Sequence, residues 1–437
     1  MRAYTKLRID RFIGGPLCWA LNLLVRGAGA VSRRDHRIPP ADVRVICVAK
    51  YAGMGSILSA LPLLAALKAR YPHAQLVFLS SRKNATLLER VTTIDERLYV
   101  NEDSLQGIAL STLELCWRLW RLRPALYIDL ELYSYYASMI AALSGARNRL
   151  GFYRKSTVFK RGLFTHLVFF NTVSPVHELY LQLGYVAGCR APTEGHADPR
   201  LRQLQLRPQD REEVQAVLGK WQSNAAPLLV VNPNASDLCL ERRWPLEHFA
   251  VAIAALLDKV PALSVVLSGA PTEREYVAGL HSLLTRYEGR VANFAGQLSV
   301  GGLLALLERA DCVLTNDSGP MHMAFALGRP TIALFGPGYP KHYAMLANST
   351  CTIVFYEPVI CSPCLYHSDT PPCGGDNQCM KLIRPEGVIA ACLAFLAPRP
   401  QPRQQLPQQW LPPAAEDTVK QVGEQPLGRV LLRPFSL

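Results

Sequence analysis

Short apolar runs rich in β-branched residues recur along this chain, each followed by a loop and a helical pattern. VRVICV (43–48) is one of them, too evenly apolar for a strand with one face in water. The loop KYAGMGS (50–56) and a helical pattern over 57–70 follow it. Pro72 stops that helix, and QLVFLS (75–80) reads as the next strand. LYIDLE (126–131) likewise leads into a helix over 133–144. The second half repeats the pattern with PLLVVNP (227–233), LSVVLSG (263–269), DCVLTND (311–317) and PTIALFG (330–336). Their helical partners fall at 245–258, 272–286, 302–310 and 320–328. Strand–helix–strand units of this length build parallel sheets covered on both faces. The expected fold is therefore α/β, with two Rossmann-like, doubly wound parallel-sheet domains facing a cleft. Their expected bounds are 41–215 and 225–397, with the polar stretch 194–226 as the link. Residues 398–437, rich in Pro and Gln, read as a disordered tail.

Composition narrows the function. Of 437 residues, 49% are apolar and 19% charged, which excludes a disordered or fibrous chain. Lys and Arg exceed Asp and Glu by 47 to 34, a net charge of +13 that calls for an anionic partner. Nucleic acid, anionic lipid and phosphorylated small molecules all qualify. The charge is spread along the chain with no aromatic-interleaved basic stretch, so nucleic acid is not expected. Twelve cysteines are too few for a disulfide scaffold, and Cys47, Cys312 and Cys392 sit in apolar runs. Both points indicate a reducing, cytoplasmic compartment. Cys361, Cys364, Cys373 and Cys379 alone cluster, which is compatible with thiols in a structured loop, a zinc site or a disulfide.

Residues 1–40 form a basic and apolar segment. The run FIGGPLCWALNLLV (12–25) is flanked by Arg2, Lys6, Arg8 and Arg11 on one side and Arg26, Arg33, Arg34 and Arg37 on the other. Fourteen apolar residues are short of the roughly 20 that span a bilayer. A helix lying on an anionic membrane surface fits the flanks best. An extra core helix and a signal peptide ending near Ala28-Gly29-Ala30 remain alternatives.

The richest stretch is ADCVLTNDSGPMHMAFALGRPTIALFGP (310–337). A buried strand delivers Asn316, Asp317, Ser318 and Gly319 to the start of a helix opened by Pro320, a ready anion site, with His322 in its first turn. The plainer alternative makes Asp317 or Ser318 an N-cap and His322 a surface residue. Two other strand ends carry compatible groups: Ser236 with Arg242 and Arg243, suited to phosphate, and Glu273, suited to ribose hydroxyls.

With these residues quoted, the chain from about 43 to 395 resembles glycosyltransferase family 9, which includes the lipopolysaccharide heptosyltransferases. The resemblance runs through LPLLAALKARYP (61–72), IDLELYSYYASMIAALSGARNRLGF (128–152) and NPNAS with RRWPLEHFA (232–250). It continues in SGAPTERE (268–275), NDSGPMH (316–322), ALFGP (333–337) and Cys361-Ser-Pro-Cys364. It implies a GT-B fold and metal-independent, cofactor-free, inverting transfer of a sugar from a nucleotide-diphosphate donor. The acceptor implied is a lipopolysaccharide or other lipid-linked glycan, handled by a protein peripheral on the inner face of the cytoplasmic membrane. It further implies that Ser236, Arg242, Glu273, Asp317, Ser318, Gly319 and His322 contact the donor, with Lys50 at the cleft floor. One departure stands out. The family carries an aspartate base after the loop glycine, whereas this chain reads Gly53-Met54-Gly55-Ser56. Asp129 and Glu131 are the expected substitutes, because a serine of ordinary pKa abstracts protons poorly. The alternative is a non-catalytic member that binds a nucleotide sugar or lipid glycan without turning it over.

Overall fold

The computed structural model describes residues 3–32, 35–190, 203–221, 227–236, 239–344, 351–365, 367–368 and 371–397. The expected tail, Arg33, Arg34 and much of the expected link lie outside the described residues. Two compact units meet in the chain between Gln203 and Leu204.

The first unit holds β1 (Val45–Ala49), β2 (Gln75–Ser81), β3 (Glu96–Val100), β4 (Leu126–Asp129), β5 (Asn148–Tyr153) and β6 (His166–Phe169). They form one parallel sheet in the order β3-β2-β1-β4-β5-β6. The second holds β7 (Leu228–Asn232), β8 (Ser264–Leu267), β9 (Val291–Asn293), β10 (Cys312–Asn316), β11 (Thr331–Phe335) and β12 (Thr352–Tyr356). These are also parallel, in the order β12-β11-β10-β7-β8-β9. Counted within its own unit, each sheet runs 3-2-1-4-5-6, the Rossmann order. Winding therefore reverses between β1 and β4, and again between β7 and β10. Crevices beyond the carboxyl ends of strands at such reversals are where ligands bind in open α/β sheets.

In the first unit the helices are α1 (Ala3–Ser32), α2 (Met54–Ser59), α3 (Leu61–Arg70), α4 (Ala85–Leu88), α5 (Leu105–Leu122), α6 (Tyr135–Leu143) and α7 (Val176–Val186). The single helix expected over 57–70 is two, because Pro62 has no N–H to continue the ladder and starts a new helix instead. One face of the sheet is covered by α1, α5 and α6, whose Cys18, Leu115, Leu119 and Ile140 pack with Cys47, Val77 and Tyr127. The apolar run 12–25 thus lies inside a 30-residue helix docked on α6. Gly14 lets the two helices approach, since a Cβ there would strike Tyr135. Asp10 accepts from the backbone N–H groups of Tyr135 at 3.0 Å and Tyr136 at 2.7 Å, helping cap α6 from far along the chain. No helix among the described residues is long and apolar enough to cross a membrane.

The second unit contains α8 (Pro208–Trp221), α9 (Leu246–Lys259), α10 (Arg274–Ser282), α11 (Val300–Arg309), α12 (Gly319–Ala326) and a closing helix, Pro385–Leu396. Part of the stretch expected as a link is α8. It joins α11 through a two-pronged Arg211–Glu308 pair at 3.0 Å and through Glu213 on the Ser299 backbone N–H.

Candidate functional site

At the reversal point of the second unit, apolar strands end in amides. Asn232 closes β7 and Asn316 closes β10, both buried. Asn316 accepts from the Trp244 backbone N–H at 3.2 Å and donates to the Pro233 carbonyl at 2.8 Å. The Trp244 ring is fully buried and donates to the Ile383 carbonyl at 3.0 Å. These bonds pin the turn before Trp244 and set Arg242 over the end of β10. Its Nη2 donates to Ser236 Oγ at 2.7 Å, and its Nη1 stands 3.8 Å from Asp317 Oδ2. Arg243 turns away and stacks on Tyr276, 3.9 Å from the ring centre.

Ser318 occupies the N-cap position of α12, but no side chain caps that helix. Its hydroxyl instead accepts from Asn232 at 3.0 Å and lies 3.1 Å from Thr315 Oγ1. At Gly319 a Cβ would meet nothing within 4 Å, so the open helix start faces free space. His322 is 5% exposed and edge-on to Tyr343. Burial, reinforced by the Arg242 charge, lowers its pKa to about 4, which makes the imidazole neutral at pH 7. Burial also raises the Asp317 pKa, against the pull of Arg242. Asp317 Oδ2 and His322 Nδ1 are buried and accept or donate no hydrogen bond. Leaving such groups unmatched costs about 1–3 kcal/mol each, which makes these two, side by side at a strand end, candidate partners for a ligand. Gly338 completes the seat, because a Cβ there would strike Asp317 Oδ2. A guanidinium, an uncapped helix start and two unmatched buried groups can take an anion that also carries hydroxyls.

Glu273 lies in the turn that follows the neighbouring β8 and accepts from the Ala270 backbone N–H at 2.7 Å, closing that turn. Lys50 and Ser56 belong to the other unit, beyond β1. There, Gly53 adopts φ +86°, a left-handed conformation that leads the loop into α2. Ser56, in the first turn of α2, lies close to the buried Tyr180.

The two carboxylates beyond β4 are fully engaged. Asp129 has no exposed surface and pairs with Lys160 Nζ at 2.9 Å. Its other oxygen accepts from the Glu131 N–H at 3.0 Å. Burial raises the Asp129 pKa while Lys160 opposes it. Glu131 accepts from Lys50 at 2.7 Å and from the Tyr51 and Ala52 backbone N–H groups at 2.8 and 3.0 Å. Burial works against its charge, but Lys50 and those donors hold its pKa below the usual range. Burial likewise works against the charge on Lys50, and Glu131 outweighs it. Asp129 is thus buried in an ion pair with Lys160, and Glu131 ties the glycine loop to Lys50.

Asn232, Gly338, Tyr180 and Lys160 are not singled out by the sequence. Only Asn232 leaves a readable trace, as an amide closing an otherwise apolar strand. In the cysteine cluster Cys361 is exposed, Cys373 partly buried, and Cys364 and Cys379 buried; all four are thiols. No set of three or more His, Cys, Asp or Glu among the described residues is arranged to hold a metal ion.

Comparison with known proteins places this architecture. The model of glycosyltransferase family 9 (heptosyltransferase) matches residues 134–372, and the chain belongs to that family. Lipopolysaccharide heptosyltransferase 2 of Escherichia coli K12 is 30% identical over 179 residues, 40% of this chain and 50% of the relative. The chain spans about half the length of such curated relatives. The solved structure of E. coli ADP-heptose lps heptosyltransferase II superposes with a TM-score of 0.65 at 22% identity, over 81% of this chain and 98% of that one. The family 9 glycosyltransferase of Veillonella parvula gives 0.67 at 21% identity, over 82% and 99%. These likenesses establish the GT-B fold.

Proposed function

We propose that the chain is an inverting glycosyltransferase that moves a sugar from an ADP-heptose-like donor to a lipopolysaccharide or related envelope glycan. Arg242, Ser236, Asp317, Ser318, Gly319 and His322 hold the donor, with Glu273 toward the ribose. Lys50 joins the donor-binding set, and Ser56 takes the position of the family's base. The observation that carries this reading is the pair of unmatched buried atoms, Asp317 Oδ2 and His322 Nδ1, beside Arg242 and the open start of α12. The ADP-heptose named for the E. coli heptosyltransferase II structure supports the choice of nucleotide.

Chemically, breaking the glycosidic bond leaves an extra negative charge on the nucleoside diphosphate. Arg242 and the positive end of α12 are preorganised to stabilise it without a metal. Neutral His322 can donate or accept one hydrogen bond to the sugar without adding charge. The protein works at the inner face of the cytoplasmic membrane, held there by the segment around 12–25. Calorimetric titration with ADP, GDP, UDP and CDP, without metal, tests the donor half. Selective ADP binding, lost in Asp317→Ala and Arg242→Ala, is the expected result; binding to none of the four overturns it.

A specific observation favours a second reading. Ser56 stands where the family has its base, and both nearby carboxylates are locked on lysines. A non-catalytic member that binds a nucleotide sugar or lipid glycan would bind ADP normally, yet neither transfer nor hydrolyse the donor.

A further inference from the structure

Two helices of the first unit are apolar on opposite sides. On α1 the docked side carries Asp10, Gly14 and Cys18, at intervals of four, against α6 and the core. The opposite arc, half a turn around at 100° per residue, holds Phe12, Trp19 and Leu23, all exposed, with Trp19 at 69%. Helix α5 repeats the pattern. Leu115 and Leu119 are buried, whereas Leu113, Trp117 and Trp120, spaced four and three apart, point outward, with Trp120 at 70% exposure. A helix on the surface of a soluble protein needs only one apolar face. The outward stripes also look the same way. Both helices cover one face of the same sheet and flank α6, where Trp120 donates to the Leu143 carbonyl at 3.2 Å and Thr112 bonds Tyr136 at 2.8 Å.

Charge identifies the occupant. The C-terminal ends of these stripes carry exposed Arg26 on α1, Arg118 and Arg121 on α5, and Arg123 just beyond. Arg121 lies 4.8 Å from the Trp117 ring centre, pairing a cation with an aromatic as membrane-interface residues do. An apolar band bearing tryptophans and rimmed by arginines fits an anionic bilayer surface, and neither helix can cross one.

We infer that the outward stripes of α1 and α5 together form one docking face for an anionic lipid surface. This rests on the membrane reading above and adds α5 as its second half. Two contact lines fix the orientation of the first unit on the bilayer, where one helix alone would leave it free to roll.

The test is co-sedimentation of the full chain with phosphatidylcholine vesicles, with and without phosphatidylglycerol. The unaltered chain is expected on the anionic vesicles, and salt is expected to weaken its binding. Leu113→Glu with Trp117→Glu, and separately Phe12→Glu with Leu23→Glu, should each lower partitioning about tenfold or more. Circular dichroism verifies that each exposed-site variant stays folded. Loss with the α1 pair but not the α5 pair overturns the inference and leaves the membrane reading standing. No binding of the unaltered chain to either vesicle overturns both. A solution dimer that the α5 pair converts to monomer assigns the face to a second copy and also overturns the inference. Because no nucleotide is used, the outcome is independent of the donor assignment.

Discussion

His322 and Asp317 carry opposite consequences of one physical cause. Burial penalises charge, so it drives the imidazole pKa down to about 4 and the carboxyl pKa up. For His322 the sign is clear. Between pH 6.5 and about 4 the unfolded imidazole takes a proton that the folded one refuses, so its contribution to stability falls as pH falls through that window. A bound diphosphate would reverse part of this by placing negative charge nearby. NMR titration should find the His322 ring protonating near pH 4 in the free protein and at higher pH with ADP bound. An unliganded pKa near 6.5 would mean the ring is solvated. Asp129 and Lys160 make a different prediction. Asp129→Asn strands a buried ammonium and should cost about 3–5 kcal/mol of stability in denaturant melts. Asp129→Leu with Lys160→Met should recover most of it. A variant that lost transfer while keeping full stability would identify Asp129 as a catalytic group.

Elements explain why those residues meet. Arg242 and Asp317 are 75 residues apart in sequence, and they come together because β7 and β10 are neighbours at the winding reversal. The loop after β11 closes the same place, where Gly338 leaves room for Asp317. Gly338→Ala should displace that carboxylate and weaken ADP binding about tenfold while the far-UV spectrum is unchanged. Unchanged affinity would show that Asp317 does not touch the donor. This geometry also marks what was readable in advance. The central strands are buried on both faces, so VICVA, LLVVN, CVLTN and TIALF stand out as continuous apolar runs. Shorter or more exposed strands gave weaker signals: ERLYV and HLVF are interrupted by charge or a histidine, and VAN is only three residues long. Helix α1 was visible only as its 14-residue apolar centre, since the charged flanks hide a 30-residue element. Arg242, Asp317 and His322 were legible because strand ends announce sites. Lys160 and Tyr180 were not, because their roles depend on tertiary partners 31 residues away at Asp129 and 124 away at Ser56.

At the scale of the whole molecule, one topology occurs twice, and each copy puts polar groups at its own reversal point. The two copies differ in how those groups are used. In the first unit Lys50, Glu131, Asp129 and Lys160 satisfy one another, while in the second Asp317 and His322 retain unmatched atoms. A pocket whose polar atoms are already matched gains little from a small anion, whereas one with unmatched atoms gains much. ADP should therefore act on the second unit. At a hundred times its dissociation constant it adds about 2.7 kcal/mol to the unit that binds it, or roughly 5–10 °C in the midpoint of that unit's transition. Hydrogen exchange on the full chain locates the effect. Slowed exchange should map to the end of β7, the turn through Arg242 and the first turn of α12, and the amides of β1 and β4 should be unaffected. Protection centred on β1 and β4 instead would move the nucleotide to the first unit and show that unmatched buried groups had misidentified the donor site.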